Sequence, residues 1–252
     1  ALRLQKITKV YPNGVIANNG VTFSVNYGEI HALSGENGAG KTTLMKILFG
    51  EEEATDGEIY IDGEKVRITS PLMAIKMGIG LVHQHFMLVP SLTVAENMVL
   101  GIEPRHGLSI DVDETERLVK EASQKFNFSI DPNKKIRDLT VGQKQKVEIL
   151  KALIRGAKIL ILDEATSSVD TRTEQLIQDA MEKLMKGRTS FVIAHRLSTI
   201  RDADLILVMD QGKIVQSGTH QELVQQEGFY RQIFNLQSQI EEALEKELSH
   251  GG

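Results

Sequence analysis

The chain has no cysteine, which excludes disulfides and thiolate metal sites and suits a reducing compartment such as the cytosol. No apolar run approaches the about 18 residues that a membrane-spanning helix requires, so no direct membrane insertion is expected. The opening Ala-Leu-Arg-Leu-Gln lacks the long apolar core of a secretory signal, and the chain is expected to stay on the side where it is made. A long basic run is missing too. With 29 Lys and Arg against 34 Asp and Glu, the formal net charge is -5, and a nucleic-acid surface is not suggested. There is no internal repeat or low-complexity tract, and the terminal Gly251-Gly252 carries no fold signal. What remains is an ordinary globular composition, 41% hydrophobic and 25% charged. Its 252 residues are enough for one large or two modest domains with a substantial core.

The stretch Gly35-Glu-Asn-Gly-Ala-Gly-Lys41-Thr42 fits G-x-x-x-x-G-K-[ST] and directly follows the apolar, strand-like run Ile30 to Leu33. In such a loop the glycines Gly35, Gly38 and Gly40 let the backbone turn tightly. The N–H groups of Asn37, Ala39 and their neighbours through Thr43 then converge on phosphate oxygens. Lys41 adds a point charge near the β- and γ-phosphates, and the Thr42 hydroxyl can ligate Mg²⁺. A helix is expected over Thr42 to Phe49, stopped by Gly50, and its positive end adds to the anion site. The bland alternative, a glycine-rich turn that binds nothing, does not account for strand, loop, Gly-Lys-Thr and helix in this order.

Around the loop, Leu2 to Ile7 and Val21 to Val25 read as strands, and Ile59 to Val66 as a hairpin turning at Asp62-Gly63. Gly80 to Phe86 is a short strand running into polar residues. After Pro90, Thr93-Val-Ala-Glu96 has capping-box spacing and begins a helix. A second helix beginning near Asp113 places Leu118, Val119, Ala122 and Phe126 on one face. Residues from about 86 to 150 therefore read as a helical insertion between parallel strands. Ile159 to Leu162 is a continuous apolar run, as in a strand covered on both faces. Gln175 to Met185 has a helical pattern, and Ser190 to Ala194 is another buried strand. Leu205 to Met209 and Lys213 to Val215 form a hairpin. From Gln221 onward the pattern is helical, with Phe229, Tyr230, Ile233, Phe234, Ile240 and Leu244 as an apolar docking stripe.

Asp163 and Glu164 end the Ile159 to Leu162 strand, where an α/β sheet presents its ligand-binding edge. In phosphate-loop proteins such an aspartate helps hold Mg²⁺, and the next carboxylate orients the attacking water. The structural alternative is two solvated acids in a loop. His195 follows a buried strand, where an imidazole can bond a γ-phosphate oxygen or serve the structure alone. Gln84 at a strand end can touch metal or water, or cap a turn. Tyr11 can stack on adenine or be a surface aromatic before a turn.

Taken together, Tyr11, the loop 35 to 42, Gln84, Leu139-Thr-Val-Gly-Gln143, Asp163-Glu164, Ser167-Ser-Val-Asp170 and His195 occur in one order. In that order they resemble a complete ATP-binding cassette nucleotide-binding domain over residues 1 to 237. The resemblance implies an α/β fold: a P-loop NTPase (RecA-like) core with a mostly parallel sheet, an N-terminal antiparallel β subdomain and an α-helical insertion subdomain. The divisions would be 1–85 for the β subdomain and phosphate loop, 86–150 for the helical part with the signature, and 151–228 for the returning core. Residues 229–252 would form a C-terminal helix and tail. It further implies that Tyr11 stacks on adenine, Gln84 senses Mg²⁺ and the membrane partner, and Glu164 and His195 serve catalysis and switching. Thr140, Gly142 and Gln143 would contact the ATP held by a second copy, and Asp170 would link the two sites. The signature is usually Leu-Ser-Gly-Gly-Gln; Val141 replaces a glycine and Thr140 keeps the hydroxyl. Implied cofactors are ATP and Mg²⁺. Implied partners are a second copy of the chain, paired head to tail with two-fold symmetry, and transmembrane permease subunits at the inner face of the cell membrane.

A second resemblance divides the chain. Phe86 to Met98 and Val147 to Leu153 look like bacterial importers of nucleosides and simple sugars, whereas Glu164 to Glu174, Ile193 to Ile200 and Gln216 to Leu223 look like lipid or multidrug exporters. Where the importer pattern commonly has a proline after the glutamate, this chain has Ala165. The implied reading is an engineered chimera with its crossover between about Lys151 and Glu164, against a natural but unusual cassette. Two other functions stand beside transport-coupled hydrolysis: an ATP-binding module with little or no turnover, and a soluble cassette acting on DNA or ribosomes. The long coiled coils or second cassette of that last class are missing from this sequence.

Overall fold

The computed structural model describes residues 1–82, 87–106, 109–125, 128, 130–163, 185, 187–193, 200–236, 238 and 239. Two compact units divide the chain, one of Ala1–Ala74 with Thr189–Gly252 and the other of Ile75–Arg188.

The first unit holds an antiparallel sheet and part of a mixed one. β1 (Leu2–Val10) pairs with β2 (Ile16–Val25) on one side and β4 (Asp56–Ile61) on the other; β4 continues into β5 (Glu64–Val66), giving the order β2-β1-β4-β5. Leu4 and Ile7 of β1 face Phe23 and Val21 of β2 in the register, and all four are buried. The β4–β5 hairpin turns at Asp62 and Gly63, both in the left-handed region, which is the two-residue geometry expected from Asp-Gly. The second group of strands runs β12-β11-β3-β10. β3 (Ile30–Ser34) lies parallel to both β10 (Thr189–Ile193) and β11 (Leu205–Asp210), and β12 (Lys213–Gly218) returns antiparallel to β11. Buried on every residue from His31 to Ser34, β3 is a central strand. Helix α1 (Lys41–Phe49) presents Leu44, Met45, Ile47 and Leu48 to the core and ends at Gly50.

In the second unit β6 (Ile79–Val82) lies parallel to β9 (Ile159–Asp163), Ile79 opposite Ile159 and Val82 opposite Leu162. Ile159 to Leu162 are buried without alternation, as their continuous apolar pattern requires. Helices α3 (Val94–Val99), α4 (Val112–Lys125) and α5 (Val141–Ile154) pack on one another, and α5 also packs on β6. Thr93 caps α3 through the reciprocal bonds with Glu96 that its spacing predicts. On α4 the buried positions are Thr115, Val119 and Ser123, four residues apart; Leu118 and Ala122 flank this stripe half-buried, and Phe126 lies outside the described residues. The chain's α2 (Pro71–Lys76) stands at the boundary of the units, and α6 (His220–Gln225) follows β12 behind another capping box, Thr219 with Glu222. Residues 229–236 are helical as well. No helix among the described residues is long and apolar enough to cross a membrane.

Candidate nucleotide site

Ser34 ends a parallel strand flanked on both sides, and Gly35 to Gly40 leave the sheet there before α1 begins at Lys41. This is the carboxyl edge at which open α/β sheets bind ligands. Two positions of the loop exclude any side chain. Gly35 has φ 146, and a Cβ on it would lie 2.3 Å from the Met209 carbonyl oxygen. Gly40, the N-cap of α1 at φ 98, would place a Cβ 2.1 Å from the Ala17 carbonyl oxygen. Both residues sit in backbone conformations that L side chains rarely adopt, pressed against neighbouring main chain. Glu36, Asn37 and Gly38 are exposed while Ala39 is buried, so the loop has an open rim and an anchored root.

Lys41 is 6% exposed, and its Nζ donates to the Gly35 carbonyl at 2.7 Å and to the Glu36 carbonyl at 2.8 Å. The ammonium closes the loop on itself and is a fixed charge in surroundings of low dielectric, where its pull on a phosphate exceeds that of a surface lysine. The first turn of α1 holds no acidic residue, so its positive end is not offset from within. Thr42 is exposed, and Thr43 is half-buried with its Oγ1 3.4 Å from the Tyr11 hydroxyl. Tyr11 thus stands beside the loop. Its hydroxyl donates to both Glu52 oxygens at 2.8 and 3.0 Å, and the Lys9 ammonium lies 5.2 Å from the ring centroid and 3.3 Å from Glu52. Pinned at its hydroxyl and covered by a cation, the ring has a set orientation. Val15 and Ile16, 54% and 51% exposed, lie across the same turn, where the Tyr11 N–H donates to the Val15 carbonyl.

In the second unit Thr140 is the N-cap of α5. Its Oγ1 accepts from the Gln143 N–H at 3.3 Å, and the Thr140 N–H donates to the Gln143 side chain at 3.1 Å. Leu139 and Gly142 are buried. Val141 opens the helix 43% exposed and without a positive φ, so the position does not need glycine's conformational freedom. Asp163 ends β9 half-buried. Gln84, Glu164, Asp170 and His195 lie outside the described residues. In sequence Gln84 comes two residues after the end of β6, Glu164 directly after β9 and His195 two residues after β10.

The first unit therefore gathers Tyr11, Gly35 to Gly40 and Lys41 to Thr43. The second places Thr140, Gly142 and Gln143 at the start of α5 and, on a different element, Asp163 at the end of β9. Sequence reasoning missed Glu52, which holds Tyr11, and Asn18, whose Nδ2 donates to the Gly40 carbonyl at 3.1 Å. It also missed Glu148 and Lys151 of α5. Glu148 is 3% exposed and accepts the Met87 N–H at 2.6 Å, while Lys151 donates to the Met87 carbonyl at 3.0 Å. Burial pushes the Lys151 ammonium below its ordinary range, with Glu148 pulling the other way. The available signal was a carboxylate inside the apolar run Val147-Glu148-Ile149-Leu150.

The ABC transporter family matches residues 18–167, more than half of the 252. The nucleoside import ATP-binding protein NupA of Lactococcus lactis is 44% identical over 83% of this chain and 43% of its own length. The arabinose import ATP-binding protein AraG of Paraburkholderia xenovorans is 43% identical over 86% of this chain and 42% of its own. The chain thus spans less than half the length of these curated relatives. Among solved structures, a dimeric post-hydrolysis state of an ATP-binding cassette bound to ADP and Pi superposes with a TM-score of 0.73 at 26% identity, covering 87% of this chain and 98% of that one. A bacterial ABC exporter with ATP bound superposes at 0.72 and 32% identity, covering 94% of this chain and 41% of that one. With the phosphate loop, its buried lysine and the α/β core on the same chain, these matches lead to one conclusion: the chain belongs to the ABC transporter family and is an ATPase domain on the P-loop NTPase fold.

Proposed function

We propose that the chain binds MgATP and hydrolyses it to ADP and phosphate as the nucleotide-binding subunit of a transporter. The observation that carries this is the loop with Lys41 buried behind it and Tyr11 fixed beside it. Tyr11 stacks on the adenine, the amides from Gly35 to Thr43 receive the phosphates, and Lys41 sits at the β- and γ-phosphates. Thr42 offers a hydroxyl and Asp163 a carboxylate, the hard oxygen donors Mg²⁺ prefers, with Gln84 as a further donor. An ion held by these donors would supply positive charge to offset the charge that develops on the phosphate during transfer. Glu164 accepts a hydrogen bond from the attacking water and aligns it with the γ-phosphorus, while His195 bonds a γ-phosphate oxygen.

In this reading Thr140, Gly142 and Gln143 serve the ATP held by a second copy of the chain, so that two copies build two sites and Asp170 links them. What supports it is the dimeric form of the similar cassette with ADP and Pi and the absence of a strained backbone at Val141. Loss of the γ-phosphate charge releases the halves. A permease, bound at the inner face of the cell membrane, turns that motion into transport; the nucleoside and arabinose import proteins among the relatives favour import of a nucleoside or sugar.

The same proposal includes two parentages, importer-like before about Lys151 and exporter-like from about Glu164. Import proteins among the relatives and an ATP-bound exporter among the structures support it. Identity to the nucleoside importer counted separately over 1–157 and 158–237 is expected to be clearly higher in the first part; equal values would remove the chimera and leave a natural cassette. The function itself is tested by phosphate release from MgATP and by light-scattering mass. Wild type is expected to turn over and Lys41→Ala to lose nucleotide binding. ATP binding without phosphate release would instead establish the module without turnover.

A further inference from the structure

We propose that Asn18 is a positioning residue for the phosphate loop: with the turn that joins β11 to β12, it braces Ala39 and Gly40 from behind and holds the loop amides ready for a triphosphate. The inference rests on the ATP reading above.

Asn18 lies in β2 with no exposed surface. Its Nδ2 donates to the Gly40 carbonyl at 3.1 Å, and the same carbonyl accepts the Leu44 N–H at 3.0 Å, the bond that opens the α1 ladder. One oxygen therefore joins the strand, the loop and the helix. The other end of the amide, Oδ1, is buried without a hydrogen-bond partner among the described residues. A half-satisfied amide in a core is unfavourable, and an apolar side chain of the same size would fill the space better. What an apolar side chain cannot do is hold the Gly40 carbonyl.

Two further bonds complete a ring. The Asn19 N–H donates to the Gly212 carbonyl at 2.8 Å, and the Gly212 N–H donates to the Ala39 carbonyl at 3.0 Å. Ala39 and Gly40 are thereby held from two directions, by a turn and by a strand that are far from the loop in sequence. The close approach of Ala17 to Gly40, which leaves no room for a Cβ, belongs to the same contact. Holding the loop in place before nucleotide arrives removes ordering cost from binding.

The test is MgATP affinity by calorimetry and steady-state turnover for wild type, Asn18→Leu and Glu64→Ala, each with a thermal melt. Leucine has the same number and branching of side-chain heavy atoms as asparagine and lacks the donor. Asn18→Leu is expected to weaken MgATP binding by roughly five- to tenfold, the scale of one lost hydrogen bond, and to raise KM more than it lowers kcat. A purely structural role would lower the fraction of binding-competent protein and leave Kd unchanged. Glu64→Ala, altered only at an exposed side chain of β5, is expected to match wild type. A folded Asn18→Leu that binds within twofold of wild type overturns this inference alone. Failure of the wild type to bind MgATP overturns the ATP reading and this inference with it. Should Asn18→Leu not fold, amide hydrogen exchange on the nucleotide-free wild type decides: the Gly212 amide is expected to be protected, and exchange at the rate of an open loop would overturn the brace.

Discussion

Tyr11 has two separable parts, a ring for adenine and a hydroxyl tied to Glu52. Tyr11→Phe keeps the ring and is expected to weaken MgATP binding by no more than about threefold, the scale of one modest hydrogen bond. Tyr11→Ala removes the stacking surface and is expected to weaken it by roughly tenfold, as loss of an aromatic contact worth about 1 to 2 kcal/mol implies; titration with a fluorescent ATP analogue measures both. Glu29 gives a residue-scale prediction on stability. The side-chain bond from Asn26, then the Asn26 N–H and His31, hold its carboxyl at about 2, below its ordinary 4.5. Because the folded value is the lower one, the ionised form favours folding. That stabilisation is complete above about 4.5 and is lost as pH falls toward about 2. Glu29→Gln is therefore expected to lower the urea midpoint at pH 7 and to flatten its fall between pH 4.5 and 2; an unchanged acid profile would refute the assignment. At this scale the loop residues were legible because their chemistry is contiguous in sequence. Asn18 and Glu52 were not, since they act on groups 22 and 41 residues away.

Three capping boxes start α3, α5 and α6, and the two in the helical unit have different duties. Thr93→Ala is expected to lower stability by about 1 kcal/mol, the typical worth of an N-cap, with phosphate release unchanged. Thr140→Ala is expected to lower stability similarly and to slow phosphate release as well, because the same residue faces the partner's nucleotide in the proposed pair; urea unfolding and a phosphate assay separate the two effects. Element types followed the sequence where a pattern was long or self-capping: the apolar run that became β9, the Asp-Gly hairpin of β4 and β5, and the cap of α3. Strand ends did not follow it. β2 begins at Ile16, five residues before the Val21 expected from alternation. Asn18, Asn19 and Gly20 read locally as turn formers, yet register shifts carry them through the sheet and turn Asn18 inward. Tertiary pairing overrode local propensity there, and the residue concerned is the one that grips the loop.

At the scale of the whole molecule, the order of motifs made the family legible from sequence, and spacing alone could not say how each motif is held. The phosphate loop belongs to one unit and the signature helix to the other, and in the proposed pair each loop meets the signature of a second copy. The Glu164→Gln variant in MgATP is expected to double in mass by light scattering, whereas without nucleotide it should remain a single chain. An unchanged mass at high protein concentration would count against a site shared by two copies. The central claim is hydrolysis assisted by Glu164, and the most direct measurement is phosphate release by wild type and Glu164→Gln at saturating MgATP. The account predicts that both bind nucleotide and that the variant is slower by roughly 10² or more, the usual scale for loss of a general base. Equal rates would contradict it.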